Sequence, residues 1–82
     1  MNWHYQLGKM TDAGGVYYHV IEVYCDEDRQ PWAWTFAKPS YADSADEAKS
    51  TLQMMVDDCE KHHVLDLDKP MPGKGPEADD DL

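Results

Sequence analysis

Val16-Tyr17-Tyr18-His19-Val20-Ile21-Glu22-Val23-Tyr24-Cys25 is a ten-residue run of β-branched and aromatic side chains with neither glycine nor proline. Such a run reads as the central strand of a sheet. Its apolar groups fall at both parities, with Tyr17, Ile21 and Val23 on one side and Tyr18, Val20 and Tyr24 on the other. A strand that is apolar on both faces is normally buried on both. The fold must therefore supply two covers, and the rest of the chain decides whether it can.

Upstream, Trp3 to Met10 mixes aromatic, aliphatic and polar residues and stops at Thr11-Asp12-Ala13-Gly14-Gly15, a hairpin signal because glycine reaches positive φ without cost. Downstream, Asp26-Glu27-Asp28-Arg29-Gln30-Pro31 is a charged turn. Trp32-Ala33-Trp34-Thr35-Phe36-Ala37 then alternates large and small side chains with a period of two, which places Trp32, Trp34 and Phe36 on one face. Lys38 to Asp43 reads as a loop around Pro39.

Ser44-Ala45-Asp46-Glu47 is a capping box, and the two acidic residues suit the positive end of a helix. Ala45, Ala48, Leu52, Met55, Val56 and Cys59 recur at helical spacing and predict one apolar stripe. Lys61, His62 and His63 close the helix with groups that suit its negative end. Val64-Leu65-Asp66-Leu67 is either a short extended segment docked on the sheet edge or a hydrophobic clip. The remainder holds prolines, glycines and an acidic run, a composition that predicts disorder from about residue 70. The predicted organisation is an α+β domain over 1-68, a three-stranded antiparallel meander in order 1-2-3 with one helix on one face, and a disordered tail over 69-82.

All nine aromatic residues precede residue 42, so the sheet is aromatic and a single helix is left to back it. One helix, about 10 to 12 Å across, covers only one face of a three-stranded sheet. Its small and flexible stripe residues suit packing on Trp34 or Phe36. The other face then needs a second copy or a protein partner.

Seventeen acidic residues against seven basic ones give a formal charge of -10. That sign repels nucleic-acid backbones and suits a basic protein partner. Two cysteines without CxxC spacing predict buried thiols rather than a disulfide or a metal site. The start has no basic n-region and no stretch approaches a membrane span, which predicts a cytoplasmic protein without a signal peptide. Four histidines raise the question of a metal, but no His-x3-His pair is present and adjacent His62 and His63 point about 100° apart on a helix. No phosphate cradle, nucleophile elbow or HExxH motif occurs, so no catalytic residue, cofactor or metal ligand is assigned. Glu22, within the central strand, needs a partner for its carboxylate; a Lys, Arg or Trp N–H is expected, with a binding role as the sharper option.

The order Trp3-x-Tyr5, Ile21-Glu22-Val23-Tyr24-Cys25-Asp26, Pro31-x-Ala33-Trp34-Thr35, a capped helix with Leu52 and Met55, and Val64-Leu65-Asp66 resembles a family of short uncharacterised bacterial and phage proteins. The resemblance spans residues 3-66 and implies a strand meander plus helix with no known activity. The chain departs from that pattern at Ile21, Cys25 and His63, where the family has His, Tyr and Pro. In element order alone the chain is also similar to HicB-type antitoxins, which implies neutralising a basic ribonuclease. Pro/Asp-rich residues stand here in place of their DNA-binding tail.

These observations predict a non-enzymatic interaction module, self-associating as a homodimer or binding a protein through an aromatic sheet face. Tyr17, Tyr18, Val20, Glu22, Tyr24 and Trp32 are its interface candidates. The alternatives are an acidic inhibitor, an antitoxin or phage anti-defence protein that blocks a basic nucleic-acid-binding protein, and a small metal protein or enzyme using His19, Glu22 and the open face.

Overall fold

The computed structural model describes residues 2–38 and 42–74. Three antiparallel strands, β1 (Asn2–Asp12), β2 (Gly15–Cys25) and β3 (Pro31–Phe36), are followed by helix α1 (Ala45–Lys61) and a two-residue strand β4 (Leu65–Asp66). The meander order is as the sequence predicts. β4 adds to the far side of β1, in parallel, so the sheet is mixed with order β3-β2-β1-β4. Of the two readings of 64–67, an extended segment or a hydrophobic clip, the first is the one found, with Leu65–Asp66 pairing as an edge strand.

The β1–β2 hairpin is closed by Ala13-Gly14, with Gly14 N–H donating to Asp12 Oδ1 at 2.8 Å and Gly15 at φ 120°. Its pairing runs unbroken from Asn2↔Cys25 to Asp12↔Gly15. The β2–β3 turn is organised by Asp26, whose Oδ1 accepts from the amides of Asp28 (2.9 Å) and Gln30 (3.0 Å). The Gln30 N–H foremost, then those of Lys74 and Asp28, hold this carboxyl below its ordinary range against the opposing effect of desolvation. Arg29 sits in the left-handed region at φ 64°. Past the turn, Cys25 pairs with Pro31 and Tyr24 with Ala33, so Trp32 is the extra residue of a bulge next to a proline that has no N–H to give.

Ser44 caps α1 as predicted, its Oγ accepting from Glu47 N–H at 3.1 Å, while Glu47 reaches back to the amide of Asp43 at 2.8 Å. The helix does not lie where its apolar stripe suggests. It packs principally on β1, with Met55 buried and Ala48, Thr51, Asp58 and Cys59 half-buried. Leu52 and Val56 remain 55% and 50% exposed. The buried stripe is thus turned by about 60° from the predicted one, at about 100° per residue. One cause is polar: Tyr5 N–H, on the part of β1 that β4 does not reach, donates to Asp58 Oδ2 at 3.1 Å and draws Asp58 inward.

The core is sealed by a different segment. Ile21 and Val23, both fully buried, and Cys25 form a cluster against which Trp34, Leu65 and Leu67 pack. Residues 62–74 run as a strap along the outer side of β1 and on to the β2–β3 turn. Its attachments are Gln6 Nε2 to His63 O (2.6 Å), Leu67 N to Lys9 O (2.9 Å), Gly73 N to Pro31 O (2.7 Å) and Lys74 N to Asp26 Oδ2 (3.2 Å). Gly8 is required beneath it, since a Cβ there would lie 2.6 Å from Leu67 Cδ1 and 3.0 Å from Ile21 Cδ1. Residues 70–74, expected to begin the disordered tail, belong to this strap; the rest of the expected tail, 75–82, lies outside the described residues. Burial raises the Cys25 thiol pKa, and Asp26 adds to the effect, in line with a thiol that acts as a small hydrophobe. Among the described residues no helix is long and apolar enough to cross a membrane.

Candidate functional site

The strap divides one face of the sheet into a sealed and an open half. Register places His4, Gln6, Gly8 and Met10 of β1, Tyr17, His19, Ile21, Val23 and Cys25 of β2, and Trp34 and Phe36 of β3 on this face. Toward Cys25 it lies under Leu65 and Leu67. Toward the hairpin tip it is open, and there the rings form an unbroken row.

Trp34 meets Phe36 edge-on (centroids 5.0 Å), Phe36 meets His19 (4.7 Å, tilted), and His19 meets Tyr17 edge-on (5.9 Å). These geometries are those that ring quadrupoles favour. The row is rooted on the core at Trp34 and emerges from it, with Phe36 42% and Tyr17 39% exposed. No Asp, Glu, Lys or Arg stands in the row itself. It comes about because β3 ends at Phe36 while β2 continues as the hairpin ribbon from Gly15 to Val20, so among the described residues no third strand flanks the rings beyond Ile21.

The opposite face carries Trp3, Tyr5, Leu7 and Lys9 of β1 with Tyr24, Glu22, Val20 and Tyr18 of β2. Here Tyr24 O–H donates to Glu22 Oε1 at 2.8 Å, and Tyr5 stands across from Glu22. The Tyr24 phenol is pushed up mainly by that bond; the Tyr5 phenol is pushed up first by burial, then by Glu22 and Asp58. Glu22 thus has a tyrosine hydroxyl as partner, where a Lys, Arg or Trp N–H was expected. Trp3 packs edge-on against Tyr5 at 5.2 Å, and Tyr18 is exposed near the tip.

The six predicted interface residues do not form one patch. Tyr18, Val20, Glu22 and Tyr24 share the second face, Tyr17 belongs to the first, and Trp32 is spent on the β3 bulge. Trp34, Phe36 and His19 were missed. Their parity with Tyr17 was readable, but Trp34 and Phe36 were expected beneath a helix that lies on β1 instead. Among the described residues, no three His, Cys, Asp or Glu side chains converge as a metal would need. Comparison with protein-family models, curated proteins and solved structures returned no match for this chain.

Proposed function

We propose that this chain is a small acidic interaction module that pairs with a second copy of itself through the row Tyr17–His19–Phe36. The observation that carries the reading is an apolar ring row continuous with the core, free of charged groups and, among the described residues, uncovered at one end. The uncharged surface matters because the chain carries -10 overall, so two copies attract only where carboxylates are absent.

Area sets the strength of the contact. At roughly 200 Å² per fully buried aromatic residue, exposures of 39% and 42% leave roughly 160 Å² on Tyr17 and Phe36 together, or about 320 Å² for two copies. With His19 and Met10 added this stays below the ~1,200 Å² at which standard interfaces begin. A weak, reversible dimer follows, not an obligate one.

Sedimentation velocity on the full chain and on a Tyr17→Ser/Phe36→Ser double variant tests this. The wild type should dimerise as concentration rises through the micromolar range, and the variant should stay monomeric with an unchanged far-UV spectrum. A wild type that is monomeric at high micromolar concentration, or a variant that dimerises equally, overturns it.

A second reading is favoured by the exposed carboxylates of Glu27, Asp28, Asp46, Glu47, Asp57 and Glu60. They suit a basic protein partner, as an acidic inhibitor or antitoxin would need. The two readings differ in the sign of their salt dependence: screening weakens attraction to a basic partner and relieves repulsion between two acidic copies.

A further inference from the structure

The chain's one arginine and three of its four histidines meet at a single cavity of about 330 Å³. Arg29 of the β2–β3 turn, His4 of β1, and His62 and His63 at the end of α1 line it, together with the amide side chains of Gln6 and Gln30. Leu65 and Pro72 of the strap supply apolar wall. Among the described residues no Asp or Glu side chain lines it.

Gln6 and His4 are held in place. His63 O can only accept, so the Gln6 amide nitrogen must be the atom that donates to it at 2.6 Å. Gln6 Oε1 therefore faces His4, and His4 Nε2 carries a hydrogen and donates at 2.7 Å. The His4 and His62 rings stack at 3.7 Å and 12°.

We propose that this cavity binds a small organic anion, a carboxylate or phosphate carried on a compact apolar body, with Arg29 as its fixed positive charge and His62, stacked on His4, as a proton-dependent second one. Its volume lies at the lower end of the about 300–1,000 Å³ of ligand sites, which sets the size of the body. Arg29 is kept in the left-handed region by Asp26, a conformation rare for its residue type and of the kind found at functional clamps. The site stands apart from the aromatic row and owes nothing to dimerisation.

Proton linkage gives the site a signature. The charged and titratable groups around the pair are Asp58, Lys61 and His63 on the helix end, and Arg29 and Cys25 across the cavity. Burial foremost, then His4, His63 and Lys61, hold His62 below its ordinary value, with Asp58 opposing. An anion favours the protonated ring, so binding takes up a proton and tightens as pH falls.

Titration of the full chain with benzoate, phenyl phosphate and neutral benzamide, followed through the imidazole resonances, tests the proposal. Saturable shifts of His4 and His62 with either anion, stronger near pH 6 than near pH 8 and absent with benzamide, are expected. Whichever anion binds more tightly identifies the headgroup. Arg29→Asn, which tolerates the left-handed backbone, should weaken binding about tenfold or more, and Arg29→Lys should keep most of it. No saturable shift with either anion up to about 10 mM, equal binding of benzamide, or an Arg29→Asn protein of wild-type affinity and unchanged spectrum overturns it.

Discussion

Leu67→Ala and Leu52→Ala together separate the strap from the helix as the cover of the core. Leu67 is half-buried and packs on Ile21, Val23 and Cys25, whereas Leu52 is mostly exposed on the helix. Removing the Leu67 side chain should cost about 2 kcal/mol, the low end of the ~2–5 kcal/mol for buried leucines, because its burial is partial. Set against a total of about 4 to 12 kcal/mol for a domain of this length, that is a severe loss. In a melting experiment it corresponds to a fall of roughly 8 to 16 °C. Leu52→Ala should cost under about 0.5 kcal/mol, since leucine and alanine have similar helix propensity and little surface is lost. Urea denaturation of both variants at one low protein concentration provides the comparison. Equal losses, or a larger loss at Leu52, would mean that the helix buries its Leu52 side and that Leu67 of the strap does not carry the core contact.

Gly73→Ala should release the strap end, because a Cβ there would lie 2.6 Å from Pro31 O and 2.7 Å from Gln30 O, backbone atoms that cannot step aside; faster hydrogen exchange at the amides of residues 73 and 74 with β1–β2 protection intact is the expected readout. Glu22→Gln should bring the Tyr24 and Tyr5 phenols down toward their ordinary pKa, Tyr24 more because its hydrogen bond then runs to a neutral amide oxygen in place of a carboxylate while Tyr5 is raised first by burial, as read by ultraviolet titration. His62 is held low in the folded chain, so the unfolded state binds more protons below the ordinary histidine value; stability should fall as pH drops through that value, and His62→Asn should flatten the slope.

The meander and helix were legible because each is written in local terms: glycines at the hairpin, β-branched residues in β2, and a serine cap before the stripe of α1. The placement of the helix was not legible. Leu52 and Val56 match the helical period as well as Met55 does, and the bond from the Tyr5 amide to Asp58, a contact far apart in sequence, helps select between the faces. The sequence predicts disorder from about residue 70 because prolines and glycines between acidic groups lack the apolar content to order a segment. Here order comes from the sheet: Gly73 fits against Pro31 because it has no side chain, and Lys74 N–H meets a carboxylate already fixed in a turn. Of the candidate surface, Tyr17 was legible, while Phe36 and His19 depended on knowing which element stops short of them. The His4–His62 stack joins residues far apart in sequence and has no local signature.

Self-association through the aromatic row is tested most directly by sedimentation equilibrium at two ionic strengths. Raising salt from about 0.1 M to about 1 M shortens the screening length from about 10 Å to about 3 Å, which removes most of the repulsion between two acidic copies. A mass rising from 9.4 kDa toward twice that value, with tighter association in the higher salt, is the expected result. A mass that stays at 9.4 kDa through high micromolar concentration in both salts contradicts it.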